Sequence, residues 1–275
     1  MKKLLLLLPL LLCACTEKKD DGWLGYGEGD NAFISAPQPG WVTSMKVQRG
    51  QVVHRGDLLF VLDDTRETAS RDQAAAALTQ AKASLAQEQS NLAFTRTELN
   101  RQNGLARDNA GTPAQRDQAQ ANYQQSSARI AQLQAQIVQM QAALANAAYG
   151  LSQRAVVAQT DGPVQDIYFR EGEYVAASTP VLSILPPANI FVRFFVPETQ
   201  LAKIHLGQTV NISCDGCKPI TARISFIAAQ EEFTPPVIFS VENREKLVFK
   251  LEARAPGGLR LNPGQPVEVR PAAAS

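Results

Sequence analysis

The sequence is poor in the residues from which catalytic and metal sites are usually built. Its 275 residues include two histidines and four cysteines, and the net charge is only +1. His54 and His205 have no second ligand at metal spacing, so we expect no metal site and no cofactor. The balanced charge provides no basic surface for a phosphate backbone, which argues against a nucleic-acid partner. Nucleophile-elbow and phosphate-loop motifs are also missing, so an enzyme is not expected.

The only long apolar run lies at the start of the chain. Lys2 and Lys3 precede an apolar stretch over residues 4–12, in the order of a secretory signal. The stretch is shorter than the roughly 20 residues of a spanning helix. Leu12-Cys13-Ala14-Cys15 follows, with a small residue directly before the second cysteine. This pattern resembles a bacterial lipoprotein signal and predicts that residues 1–15 end at a lipidated Cys15. An ordinary cleaved signal that contains two cysteines is the alternative.

Export would leave two cysteines in the folded part, in the sequence Cys214-Asp215-Gly216-Cys217. Asp-Gly favours a tight turn, and an oxidising compartment favours a disulfide across it. The alternatives are a redox dithiol and half of a zinc site. Both lack support, because there is no second cysteine pair and no thioredoxin-like βαβ pattern. We therefore interpret the pair as a structural disulfide.

A β-rich motif is present twice in the chain. The first half-motif covers residues 36–63 and the second covers residues 155–186. A single ungapped offset aligns the two, matching Ala36 with Ala158, Gly40 with Gly162, Gly50 with Gly172 and Val53 with Val175. Two halves this short must meet in space to close a common core. Residues 64–154 must therefore project from between them.

The intervening residues have the pattern of a helical hairpin. Between Thr65 and Ala110 there is no proline, and the only glycine is Gly104. Apolar residues recur at every seventh position in each of two arms; they are Leu78, Leu85, Leu92 and Leu99, then Tyr123, Ile130, Ile137, Leu144 and Leu151. Lys82, Gln89 and Arg96 fall near the alternate positions of the first arm and predict a thinner seam there. The pattern predicts an antiparallel coiled coil, each arm about 40 residues and on the order of 60 Å long, with the reversal at residues 104–111.

Capping signals mark the start of each arm. Asp64 with Glu67 three residues later predicts a capping pair for the first helix. Thr112-Pro113-Ala114-Gln115 predicts a capping box with proline at the first helical position. The outer faces of both arms are rich in Ala, Gln, Ser and Asn. Such faces suit either packing against further hairpins or simple exposure to solvent.

The remaining residues complete a mixed α+β, elongated chain. Apolar runs over 190–196, 220–228 and 247–253 alternate with glycine and proline, which is typical of a small antiparallel β-barrel over residues 187–275. Residues 16–35 are predicted to be a linker and a first strand that precedes the first half-motif.

The two half-motifs resemble the halves of a biotinyl/lipoyl domain. In carrier proteins of that fold, a lysine at the turn joining the halves bears the cofactor. Here that turn reads Asp63-Asp64-Thr65-Arg66, without a lysine. Lys46 lies in Ser44-Met45-Lys46-Val47, early in the first half, and is interpreted as an exposed strand residue. A carrier subunit of an enzyme complex is therefore disfavoured.

A lipoyl domain that is split by a helical hairpin behind a lipoprotein signal resembles the HlyD-type periplasmic adaptors, or membrane fusion proteins. Residues 196–208 and 261–267 also resemble the short helix and the closing turn of the adaptor barrel. The resemblance implies a non-catalytic subunit that couples an inner-membrane transporter to a TolC-like outer-membrane channel. It further implies a homo-oligomeric ring, a hexamer, in the periplasm. The lipid would hold it at a membrane, with the inner membrane favoured although Thr16 follows Cys15.

The transporter class follows from finer features of the resemblance. The chain ends soon after the last barrel strand, so a full membrane-proximal domain is expected to be absent or reduced to residues 22–35. This favours an ABC-type exporter or a major-facilitator pump over a resistance-nodulation-division (RND) pump. Residues 25–30 and the Glu232-Phe233-Thr234-Pro235 loop look most like ABC-linked members.

Adaptors of this family dock to the channel through an Arg, a Leu and a Ser at the hairpin tip. Arg101, Leu105 and Thr112 stand at that spacing, with Thr replacing Ser, and the resemblance implies that they form the docking site. Simpler interpretations remain for each residue. Thr112 is also the predicted N-cap, Leu105 is able to close the first helix, and Arg101 is able to act as a solvated charge.

Overall fold

The computed structural model describes residues 22–233 and 247–272, so the predicted lipidation site at Cys15 lies outside the described residues. The chain divides into two compact units, one over Asn31–Leu185 and one from the residues on either side of it. The helices are α1 (Thr65–Arg107), α2 (Pro113–Ser152) and the short α3 (Glu198–Leu201). Neither long helix has the length and apolar character of a membrane span within the described residues.

The strands of the Asn31–Leu185 unit are β2 (Ala32–Ser35), β3 (Gly40–Met45), β4 (Val52–Val53), β5 (Leu58–Leu62), β6 (Ala155–Val157), β7 (Gly162–Ile167), β8 (Tyr174–Val175) and β9 (Pro180–Ile184). Those of the other unit are β1 (Trp23–Gly29), β10 (Ile190–Pro197), β11 (Thr209–Ser213), β12 (Ile220–Phe233), β13 (Leu247–Arg254) and β14 (Pro266–Pro271).

The two half-motifs interlock instead of folding side by side. One four-stranded sheet has the order β2-β9-β7-β4 and the other has the order β6-β5-β3-β8. Each sheet thus takes strands from both halves. The outer strands β6 and β8 pair with β5 and β3 of the first half, and β4 pairs with β7 of the second half. The remaining outer strand, β2, precedes the first half-motif and pairs with β9. The sheets enclose one core of fully buried side chains, including Val42, Val53, Leu59, Phe60, Leu62, Val164, Val175, Leu182 and Ile184. The hairpin leaves and re-enters this unit between β5 and β6.

Equivalent residues of the two halves make equivalent hydrogen bonds. The Gly50 N–H donates to the Val164 carbonyl oxygen at 2.8 Å, and the Gly172 N–H donates to the Val42 carbonyl oxygen at 2.8 Å. Both glycines have φ of 85°, in the left-handed region that a side chain disfavours. The repeat seen in the sequence is therefore a structural two-fold repeat, in which each half completes the other.

The hairpin helices pack along an apolar seam. In α2 the predicted seam residues are half-buried, and Ala119, Ser126 and Leu133 are buried. In α1, Leu78 and Leu99 are buried as predicted. The alternate seam positions of α1 are Ala81, Glu88 and Thr95, one residue before those predicted, and Lys82, Gln89 and Arg96 are exposed. The predicted positions were therefore wrong by one residue. Each alternate seam position follows the preceding leucine by three residues, whereas the prediction assumed four.

Of the two predicted caps, one is confirmed and one is wrong. The Thr112 hydroxyl accepts from the Gln115 N–H at 3.3 Å, and the Gln115 side-chain oxygen accepts from the Thr112 N–H at 3.2 Å. Asp64 makes no side-chain capping bond. Instead, the Asp63 carboxylate accepts from the backbone N–H and the hydroxyl of Thr65, at 3.2 and 2.7 Å. The hydroxyl bond, followed by the backbone bond, lowers the pKa of Asp63.

The second unit is a closed barrel in which strands pair in the order β1-β10-β13-β12-β11-β14. Its core includes Trp23, Val192, Phe194, Val210, Ile212, Ile224, Leu251, Val267 and Val269. The stretch predicted as one linker and first strand is divided, because β1 belongs to the barrel whereas β2 pairs with β9. Two residues of the predicted loop at 232–235 are in fact strand, since Glu232 and Phe233 end β12 and pair with β13. Thr234 and Pro235 lie outside the described residues.

The predicted cysteine pair lies in the turn after β11. Cys214 and Cys217 are joined in a disulfide with their Cα atoms 5.4 Å apart. Gly216, inside the turn, has φ of 76°. Among residues 22–233 and 247–272, no group of three or more His, Cys, Asp and Glu residues is placed to hold a metal ion.

Candidate docking site at the hairpin tip

The chain reverses in a tight turn at the end of α1. The helix continues through Arg107, so the reversal takes Asp108–Gly111 and is shorter than the predicted segment 104–111. The carbonyl oxygen of Leu105 accepts two hydrogen bonds from the turn, from the N–H of Ala110 at 2.8 Å and of Gly111 at 3.1 Å. Asn109 has φ of 55°, a conformation that asparagine tolerates better than most residues. The turn is thereby fixed to the backbone of Leu105.

The three predicted docking residues lie around this turn. Arg101 and Leu105 are one helical turn apart on α1, and Thr112 stands across the turn as the N-cap of α2. The Arg101 side chain is 68% exposed and Leu105 is 38% exposed. A Cβ added to Gly111 would lie 3.2 Å from the Leu105 Cβ, so the leucine does contact the turn, as its simpler interpretation requires. The remaining exposure of an apolar side chain at this position is what a partner would cover.

Thr112 caps helix α2 and also lies among the three predicted docking residues. Its hydroxyl oxygen accepts the capping bond from Gln115, which satisfies one of the free N–H groups at the start of α2. A hydroxyl can accept and donate at the same time, so the proton of this group is still able to reach a partner. Capping and docking are compatible at this residue.

Arg101 is bound to Glu98, which lies three residues before it on α1. The guanidinium Nη2 of Arg101 donates to Oε2 of Glu98, and Nε2 of Gln102 donates to Oε1 of the same carboxylate at 2.8 Å. The bond from Arg101, followed by that from Gln102, lowers the pKa of Glu98. The same bond and the negative charge of Glu98 raise the pKa of Arg101. Both groups are therefore ionised at neutral pH.

A polar cleft of about 340 Å³ runs between the helices beside the tip. It is lined by amide side chains with one carboxylate and small alanines, namely Glu98, Gln102, Ala114, Gln115, Gln118, Ala119 and Asn122. Amides and a paired carboxylate bind other polar groups but offer no nucleophile and no acid–base pair. The tip thus presents an exposed leucine, an exposed arginine and an amide-lined cleft side by side.

A buried ion pair at the other end of the hairpin is not predicted by the sequence patterns. Arg154, two residues after the end of α2, donates from Nη2 to Oε1 of Glu67 at 2.6 Å and from Nη1 to the Pro39 carbonyl oxygen at 2.8 Å. Glu67 had been predicted to cap α1, a task it does not perform. The sequence offers one signal for this pair, a single arginine between the end of a helix and a strand. The partner of that arginine is 87 positions away.

The turn that bears the cofactor in carrier proteins is occupied here by the hairpin. Asp63 and Asp64 follow β5, and α1 begins at Thr65. Lys46 is exposed directly after β3, away from that turn in sequence. This arrangement offers no lysine for a carrier function at the junction of the halves.

Comparison with known proteins finds relatives among membrane proteins. No family model matches the chain. It is 33% identical over 129 residues to the UPF0194 membrane protein in the asrC 5' region of Acidithiobacillus ferridurans, covering 46% of this chain and 38% of that protein. It also covers 44% of an uncharacterised protein of Haemophilus influenzae, so it spans less than half of these two relatives. The UPF0194 membrane protein YbhG of Salmonella gallinarum is 27% identical, with 92% of this chain and 89% of that protein aligned.

Two solved structures illustrate the fold that this chain shares with known proteins. The crystal structure of MacA from Actinobacillus actinomycetemcomitans superposes with a TM-score of 0.68 at 19% identity, covering 90% of this chain and 76% of that one. The membrane fusion protein Spr0693 from Streptococcus pneumoniae R6 superposes with a TM-score of 0.55 at 16% identity, covering 92% of this chain and 99% of that one. Both structures share the fold of this chain, a split β unit with a helical hairpin followed by a β-barrel. The predicted resemblance to the membrane fusion proteins is therefore confirmed in the fold.

Proposed function

We propose that this protein is the periplasmic adaptor of a tripartite efflux or secretion pump, coupling an inner-membrane transporter to a TolC-like outer-membrane channel. The observation that carries the proposal is the hairpin tip, where Leu105 and Arg101 are exposed on one helix and Thr112 stands across a fixed turn. The hairpin projects from a β unit whose two halves enclose one common core. A long projection from a stable base is suited to contacting a partner at its tip.

The partners are proposed at the level of class. The tip contacts the outer-membrane channel, and the barrel is the part that meets the transporter. An ABC-type transporter is favoured because residues 25–30 resemble those of ABC-linked adaptors; a major-facilitator or RND pump is the alternative. We place the protein in the periplasm, anchored by a lipid on Cys15, with the inner membrane favoured. Metabolic labelling with a fatty-acid analogue should mark the wild type and not Cys15→Ser.

A ring of six copies is part of the proposal. The outer faces of both helices carry exposed small residues in rows, Ala76, Ala83, Ala86 and Ala93 on α1 and Ala128, Ala131, Ala135, Ala142 and Ala145 on α2. Two different rows on one hairpin suit a head-to-tail contact between copies, the kind that closes into a ring. Cross-linking in the membrane, with channel and transporter present, should give a ladder up to six. A ladder that stops at the dimer contradicts the ring.

The docking assignment is tested by cross-linking and export in cells. The wild type should recover both a transporter and an outer-membrane channel. Leu105→Asp should abolish the channel cross-link and export without lowering the amount of folded protein, because it places a charge in the contact. Arg101→Ala should weaken the cross-link, and Thr112→Ser should preserve export because Ser also caps well.

Leu206→Asp is the matched control, since it makes the same change at an exposed leucine of the barrel unit. It should leave the channel cross-link intact. Normal export with both Leu105→Asp and Arg101→Ala would contradict docking at the tip. Recovery of a cytosolic enzyme complex in place of a transporter and a channel would contradict the adaptor function altogether.

A further inference from the structure

We propose that Glu98 is a positioning residue for the docking cation, holding the guanidinium of Arg101 in place before the partner arrives. The inference rests on the proposed function, because it concerns how the same tip meets its channel. It assigns a task to a residue outside the predicted set of Arg101, Leu105 and Thr112.

The geometry shows a carboxylate with both oxygens engaged. Oε2 receives the Arg101 guanidinium and Oε1 receives the Gln102 amide at 2.8 Å. The Glu98 side chain is 25% exposed, against 68% for Arg101, so the anion lies in the flank of the hairpin and the cation faces outward. A carboxylate held at both oxygens fixes its own rotamer and therefore that of the arginine bound to it.

The arginine keeps most of its donors for a partner. A guanidinium has five N–H groups, and within the described part of the chain Arg101 uses Nη2 on Glu98. Because the side chain is 68% exposed, its other N–H groups are able to donate to a surface of carbonyl or carboxylate oxygens. Immobilising a flexible side chain on binding costs about 0.5–1.5 kcal/mol, and a preformed contact to Glu98 removes part of that cost. Loss of Glu98 should therefore weaken docking about two- to tenfold.

A merely structural role predicts a different result. An exposed i,i+3 ion pair contributes little to helix stability, so Glu98→Ala should leave the thermal unfolding of the hairpin unchanged. The reversed pair, Glu98→Arg with Arg101→Glu, retains the ion pair but moves the cation off the docking position. A structural role is preserved by that exchange, whereas a positioning role is not.

The test uses the full-length lipidated protein in nanodiscs and a purified TolC-type channel in detergent, with the half-saturating channel concentration measured by interferometry. We expect Glu98→Ala to raise this concentration about two- to tenfold and to add nothing when Arg101→Ala is already present. The reversed pair should bind as weakly as Arg101→Ala. Circular dichroism melts of all variants should coincide.

The outcomes separate this inference from the proposed function. If Glu98→Ala binds like the wild type while Arg101→Ala binds more weakly, only the positioning by Glu98 is refuted. The positioning by Glu98 is also refuted if the double variant Glu98→Ala, Arg101→Ala binds more weakly than Arg101→Ala alone. Wild-type binding by the reversed pair contradicts the docking role of Arg101 and the positioning by Glu98 together. If the wild type does not bind the channel at all, docking at the tip has failed and the positioning role fails with it.

Discussion

Arg154 should be the most sensitive charged residue of the hairpin base. Its guanidinium joins three segments, the end of α2, the first turn of α1 through Glu67 and the start of β3 through the Pro39 carbonyl. Its own carbonyl oxygen accepts from the Leu62 N–H at 2.8 Å. A Cβ on Gly40 would lie 2.8 Å from Nη1 of Arg154, so the glycine makes room for this contact. The pair fixes where the hairpin leaves the interlocked unit.

The magnitude follows from burial. The side chains of Arg154 and Glu67 are only 11% and 15% exposed. Removing one partner of a fully buried ion pair costs about 3–5 kcal/mol, because the other charge stays behind without compensation. Since water can reach a part of this pair, we expect Arg154→Ala to lower the free energy of unfolding by about 2–4 kcal/mol. Glu67→Gln keeps an acceptor for the guanidinium and should cost about 1–2 kcal/mol. Glu67→Leu with Arg154→Met should recover most of the loss.

The assay is urea unfolding followed by tryptophan fluorescence. The chain has two tryptophans, Trp23 in the barrel and Trp41 in β3, so Trp23→Phe leaves a reporter of the Asn31–Leu185 unit alone. Arg116→Ala is the matched control, because this arginine bonds the neighbouring Asp117 at 2.9 Å on the exposed face of α2. It should change stability by less than about 0.5 kcal/mol. A loss for Arg154→Ala no larger than that of Arg116→Ala would refute the reasoning.

Five further substitutions, at four positions, test the turns and caps. Thr112→Ala should lower stability by about 1 kcal/mol through loss of the cap, and Thr112→Ser by only a few tenths, measured by urea unfolding. The bonds to Thr65 lower the pKa of Asp63 from 3.8. The ionised carboxylate therefore stabilises the folded state above pH 3.8, and this stabilisation is lost as the pH falls through the lowered pKa. Asp63→Asn should therefore lower the urea midpoint near neutral pH and differ less from the wild type in acid; a difference that stays constant contradicts this. A Cβ on Gly162 would lie 2.3 Å from the Leu185 carbonyl oxygen, so Gly162→Ala should destabilise by roughly 2–4 kcal/mol, against about 1 kcal/mol for Gly172→Ala, which meets only backbone strain.

The repeat and the hairpin were predictable because their signals are periodic. Gly50 and Gly172 adopt the same left-handed backbone conformation. Their alignment in the sequence therefore predicted equivalent turns in the two halves. Leucines seven residues apart placed one side of the α1 seam correctly. The alternate side is Ala81 and Thr95, small or polar residues that give no hydrophobic signal, and the register there was misjudged by one residue.

The division of the first strand could not be seen in the same way. β1 joins the barrel because it pairs with β10 and β14, both more than half of the chain away. β2, three residues later, pairs with β9 in the other unit. Both are short strands with a similar alternation of apolar and polar residues. No feature within residues 16–35 indicates which sheet each strand joins. Strand membership is decided by the partner, and the partner is distant in sequence.

Two of the hairpin's ion pairs show where this limit lies for the candidate site. Glu98 and Arg101 are three residues apart on one helix, so helical geometry alone brings them together, and their contact was open to prediction from the sequence. Glu67 also had a local interpretation, as a capping residue three positions after Asp64, but Arg154 provides a stronger partner across the fold. A buried carboxylate gains more from a guanidinium than from an exposed backbone N–H, because the charge must be compensated once water is removed. A residue at a helix start can therefore be assigned to the cap only when no distant cation is able to reach it.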